Sequence, residues 1–189
     1  MNRGVILAAA LIVLGGVRWA VAQNRNLYDG FKLVDKNGNL RKPPNYRDTY
    51  QLLGSWTILD PKGNQIHDTY ASPGAAEYYV HNGKFADGTI LVKEINGTEH
   101  AQMTTGNANW AGDTQVWFVL VKDSKGRFPK NPLWGNGWGW FLFKADAPDK
   151  QVATDFKKDC LSCHSPAQAD DWIYIKGYPV LHPNKNSGD

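Results

Sequence analysis

Two cysteines, both near the C-terminal end, constrain this chain more than any other feature of it. They stand in Cys160-Leu161-Ser162-Cys163-His164. On a turn of helix, residues three apart share a face. Both sulfurs can therefore reach the two vinyl groups of one porphyrin, and the imidazole that follows falls where it can ligate the iron. C-x-x-C-H is the pattern that attaches haem covalently. A thioredoxin-like redox pair would need a βαβ setting with the motif early in the domain, which is missing. A structural zinc site would need two more close ligands, and the only later histidine is His182. The expectation is one haem c, bonded through Cys160 and Cys163, with His164 as axial ligand.

Haem of this type is attached outside the cytoplasm, and the start of the chain agrees. Arg3, an apolar run over residues 5–17 and the small-x-small site Ala20-Val21-Ala22 read as a secretory signal over residues 1–22. The run is short of the ~20 residues that span a bilayer, so no membrane attachment is expected after cleavage. The net charge is +3, and Arg3 and Arg18 belong to that leader. The near-neutral remainder gives no reason to expect a nucleic-acid partner.

The rest reads as one domain, mainly β (α+β), a single antiparallel sheet with a few short helices. Residues 23–46 are polar and turn-rich and suggest an extended N-terminal arm; residues 47–189 form the domain. Strands are predicted over residues 49–59, 66–70, 89–95, 115–122, 138–144 and 172–175 from alternation and β-branched content. Ser72-Pro73 predicts the start of a helix that stops near Gly83. A helix from about Thr154 carries the cysteine motif near the C-terminus. Small electron-transfer cytochromes and cytochrome c′ are helical, so neither organisation fits. For the second axial position the candidates are Met103, His67, His81, His100 and His182, none with a local ligand signal. An open sixth position, able to bind or transform a small molecule, is the preferred reading over a Met- or His-ligated electron carrier.

Several short segments, in one order, resemble the cytochrome P460 family. They include Gly83-Lys84-Phe85-Ala86-Asp87-Gly88-Thr89, Leu91-Val92-Lys93-Glu94-Ile95, Gly137-Trp138-Gly139-Trp140, Asp159-Cys160-Leu161-Ser162-Cys163-His164 and Gly177-Tyr178-Pro179-Val180-Leu181. The resemblance implies a periplasmic β-sheet haem protein, a homodimer, that oxidises hydroxylamine and passes electrons to a small soluble carrier such as a cytochrome c. It also implies a lysine joined covalently to the porphyrin, and the matching residue is Lys93. Alternation puts Lys93 between Leu91 and Ile95 on one strand face, where an unpaired ammonium would be costly. The competing reading has Lys93 snorkelling from an edge strand. A related branch, the cytochromes c′-β, lacks the lysine bond and binds nitric oxide or carbon monoxide.

One departure stands out. Active members carry a carboxylate above the haem as proton acceptor, and the matching stretch here, Phe118-Val119-Leu120, is apolar. Those three residues and Trp140 are expected to wall the pocket. Glu94, Glu99 and Asp113 are the acids that could serve instead.

Overall fold

The computed structural model describes residues 28–182. The expected leader, residues 1–22, lies outside them. Seven strands form one antiparallel sheet: β1 (Gln51–Ile58), β2 (Gln65–Ala71), β3 (Ile90–Met103), β4 (Gly106–Lys122), β5 (Trp134–Gly135), β6 (Trp138–Lys144) and β7 (Ala147–Gln151). The order is β1-β2-β3-β4-β6-β5, with β7 paired to β6 as well. The mainly β fold expected from the sequence is the one that forms. Lys93 therefore sits on a central strand, flanked by Thr69 of β2 and Phe118 of β4, and the edge-strand reading falls away.

Each strand face carries its own core. On one side Leu53, Leu91, Leu120, Trp138 and Trp140 pack against the C-terminal segment through Phe156, Cys160, Ile173 and Tyr178. On the other, Ile90, Val92, Val119, Val121, Phe141 and Phe143 are covered by Leu33, Leu40 and Tyr46. The result is a sheet with a layer on each face. The covering of the second face corrects one expectation. Residues 28–46 are not an extended arm: Gly30–Leu33 is a 3₁₀ turn, Val34 bridges Leu40, and α1 (Tyr46–Thr49) follows. Its apolar side chains find an uncovered sheet face, and burying them outweighs staying extended in water.

Local chemistry explains the other differences. The helix after β2, α2 (Ala75–Asn82), starts two residues later than Ser72-Pro73 suggested. The Ser72 hydroxyl is occupied in accepting from Ile90 N at 3.0 Å, which ties the helix entrance to β3 rather than capping it. Its end is as expected: Gly83 adopts φ 67° and donates to Tyr79 O. The cysteine motif lies on two single turns, α3 (Phe156–Asp159) and α4 (Leu161–His164), interrupted at Cys160, and not on one helix. Strands β3 and β4 run far past their apolar stretches, as a polar hairpin from Thr98 to Asn109 with continued backbone pairing.

No strand forms at 172–175. Asp171 and Trp172 take φ values of 59° and 69°, which an extended strand cannot contain. The turn is fixed by what Asp171 does. Its carboxylate pairs with the Lys122 ammonium, with both side chains about nine-tenths buried, and accepts Phe85 N at 2.9 Å. Its carbonyl accepts the Trp138 indole N–H at 2.9 Å. These bonds clamp the C-terminal segment to one end of the sheet. Asp171→Ala is expected to strand Lys122 in the core and cost about 3 kcal/mol, measurable as a lower urea midpoint. Asp170→Ala, one residue away, should leave that midpoint unchanged.

Candidate functional site

Between the sheet and the C-terminal segment lies a cleft of two lobes, about 250 and 230 Å³. Lys93, Leu120, Cys163 and His164 border both lobes, so the two adjoin. Together they fall in the roughly 300–1,000 Å³ range of cofactor-sized pockets. The sheet supplies the floor. Because side chains alternate, Trp56 and Ile58 of β1, His67 and Thr69 of β2, Leu91 and Lys93 of β3, and Leu120 of β4 all rise from the same face. The roof is α4 with Ile173, Tyr174 and Tyr178.

The roof is fastened at several points. His164 Nδ1–H donates to Trp172 O at 2.7 Å. That bond fixes the tautomer and leaves Nε2 free, as an imidazole metal ligand requires. The positive φ of Trp172, unusual for a bulky residue, aims the carbonyl at that ring. Trp140 meets the His164 ring edge-on at 4.8 Å between centroids. The Tyr174 hydroxyl donates to Cys163 O at 2.6 Å, and Tyr178 joins Thr69 across the cleft at 2.8 Å. Gly177 lies flat on the Trp56 indole, where an added Cβ would come within 2.5 Å of the ring. Cys160 and Cys163 are free thiols beside the cleft, and burial pushes the Cys160 thiol up to about 11.

Two basic side chains rise from the floor. Burial holds the Lys93 ammonium below its ordinary range, partly offset by the Cys163 sulfur; its Nζ lies 5.9 Å from the Phe118 ring centre. His67 is lowered to about 4, by burial first and then by Lys93. His164 is lowered by burial above all, which favours the neutral ligand form.

The expected wall is placed in part. Phe118, Leu120 and Trp140 border the cleft. Val119 does not: it points through to the opposite core, fully buried beside Val92 and Phe141. It was grouped with its neighbours because an apolar run carries no period-2 signal. Met103 is exposed at the hairpin tip and His100 lies on the same hairpin. His182 bonds Ile175 O at 3.1 Å. Of the axial candidates outside the motif, His67 alone borders the cleft. Glu94 faces the other way, where its carboxylate takes the Tyr46 hydroxyl and Arg47, and Glu99 and Asp113 are exposed away from the cleft. Sequence reading missed Trp56, Thr69 and Tyr178. For the first two, period-2 spacing along β1 and β2 was the available signal; Tyr178, in a turn, had none.

The cleft suits a haem. Its lining is mostly apolar, and two thiols and an oriented imidazole meet along one side. Comparison by sequence then decides the matter: the family model for cytochrome P460 matches residues 43–175. The chain belongs to the cytochrome P460 family. It is a P460-type haem protein, and the matched range takes in every strand of the sheet, Lys93 and the cysteine motif. No curated protein matches it by sequence.

The His67 shift has a consequence for stability. The unfolded imidazole binds its proton near 6.5 and the folded one only near 4, so between those values the unfolded chain holds more protons. Stability should be full above about pH 6.5 and fall as the pH drops towards 4. Denaturant midpoints across that range should show the slope in the wild type and a shallower one in His67→Phe.

Proposed function

We propose that the protein is an exported c-type member of this family that oxidises hydroxylamine and hands the electrons to a small soluble carrier such as a cytochrome c. In this reading Cys160 and Cys163 form the thioethers, His164 Nε2 ligates the iron and Lys93 Nζ bonds the porphyrin edge. When bound, the haem supplies a redox-active iron with one position open to a small nitrogen compound. The residues of the chain do the rest. Trp172 O holds the His164 tautomer, the clamp at Asp171 keeps the roof on the sheet, and Leu120, Phe118 and Trp140 exclude water from the cleft.

The observation that carries the reading is the place of Lys93. It is a central-strand lysine, in the same cleft as Cys163 and His164, with no carboxylate among the causes of its shift. An ammonium confined there is unfavourable; conversion to a ring-bonded amine removes its charge. A second reading, capture of nitric oxide or a similar gas without turnover, draws on the apolar stretch at Ile95, Phe118 and Leu120 and on the absence of a carboxylate among the described residues on the β3–β4 part of the floor. Plain electron transfer would need a side chain on the sixth position, and Met103 lies outside the cleft. Family membership also favours a homodimer of a bacterial periplasm.

The test is the absorption spectrum of the reduced protein, repeated after denaturation in alkaline pyridine. A red-shifted Soret band with an abnormal pyridine spectrum is expected. Lys93→Ala should return both to those of ordinary c-haem and slow hydroxylamine-driven reduction. An ordinary wild-type spectrum with five-coordinate iron would replace this reading with gas capture.

A further inference from the structure

Oxidation of hydroxylamine releases protons as well as electrons: NH₂OH yields HNO, two protons and two electrons. The protons need an acceptor inside the cleft, and the carboxylate that active relatives are expected to use is replaced by apolar residues. The lining offers few substitutes. Asp159, at the rim of one lobe, is already taken by Thr154 N at 2.6 Å, Thr154 Oγ1 at 3.1 Å and Asp155 N at 3.1 Å. The Tyr174 and Tyr178 hydroxyls are engaged with Cys163 O and Thr69. Lys93 and His164 are committed to the ring and the iron in the reading above.

His67 remains. It stands on β2 beside Ile95 in the register, one step diagonal from Lys93 on the same face. Diagonal neighbours of this kind lie roughly 7–8 Å apart. Its Nε2 lies 3.0 Å from Gln65 Oε1, two residues back on the same strand face. An Nε2–H donated to that oxygen leaves the ring's lone pair on Nδ1. The groups around it are Lys93 beside it on β3 and, across the cleft, Cys163 and His164 from α4 and Tyr174 and Tyr178 from the C-terminal segment. None is a carboxylate that would hold a proton on the ring.

We propose that His67 is the proton acceptor for ligands bound at the open haem face, with Gln65 as the residue that positions its ring. An incoming HX gives its proton to the His67 imidazole as X⁻ binds; no electrons move in that step. With hydroxylamine the same imidazole takes one released proton at a time and passes it to solvent. The proposal deepens the reading of the site as a hydroxylamine oxidase but does not require turnover.

Its test uses cyanide, which reaches the ferric holoprotein as HCN at neutral pH and must lose a proton to bind. The association rate is expected to fall on the order of 100-fold in His67→Leu, with haem content unchanged, and to recover on adding free imidazole. His67→Gln, which keeps a polar side chain and cannot accept the proton, should be as slow; it serves if the leucine variant folds poorly. An unchanged rate in both variants would overturn the proposal. So would a wild-type six-coordinate, low-spin spectrum that turns high-spin on substitution, because His67 would then be an iron ligand. A fall in cyanide rate in a protein that does not oxidise hydroxylamine would sink the oxidase reading and leave the role of His67 standing.

Discussion

A β-strand sends neighbouring residues to opposite faces, and on β3 the neighbours are Lys93 and Glu94. Neither can be buried cheaply as an ion, so each face of the sheet has had to supply an answer. Behind the sheet the answer is a polar network. Glu94, 2% exposed, takes the Tyr46 hydroxyl and Arg47, while the Trp117 indole donates to Tyr46 at 2.7 Å. That network explains why residues 28–49 are folded onto the sheet: they bring Tyr46 and Arg47 to a carboxylate that would otherwise be stranded. In front, among the described residues, no carboxylate answers Lys93, and the side chain borders a cleft.

The contrast separates structure from function with unusual clarity in one dipeptide. Glu94 is satisfied by groups of the chain itself, so its burial needs nothing from outside. Lys93 has burial as the first cause of its shift and a weak opposing influence from Cys163. A half-buried charge whose costs the protein leaves unmet is where a function is to be sought. The cleft is closed on its far side by a segment that the Lys122–Asp171 pair holds down, so its shape beside Lys93 is set by the fold.

Much of this was legible beforehand, and the parts that were not share a cause. The period-2 strands of the sheet and the Gly83 stop are local signals, and the fold agrees with them. Lys93 could be placed on a face from Leu91 and Ile95 alone. Val119 could not, because in the run Val116-Trp117-Phe118-Val119-Leu120-Val121 every residue is apolar and the register, set by pairing with β3 and β6, decides which side each faces. The segment at 172–175 looked like a strand because Trp, Ile, Tyr and Ile favour one. A tertiary demand, the ion pair of Asp171 with Lys122, overrode that preference. His67 and Tyr178 meet in the cleft from positions 111 residues apart, which no window of sequence joins.

His67 and Lys93 also bear on each other. The lysine charge lowers the basicity of the imidazole, so while Lys93 is an ammonium His67 is a poor proton acceptor. Bonding Nζ to a porphyrin carbon abolishes that charge and removes one of the two causes of the shift. Burial, the larger cause, would then act alone, and the imidazole would become a better proton acceptor than it is beside an ammonium. The lysine bond would thus have a second effect besides altering the ring. It would tune the proton acceptor standing on the next strand, through the removal of one positive charge from a cleft that has few other ions to screen it.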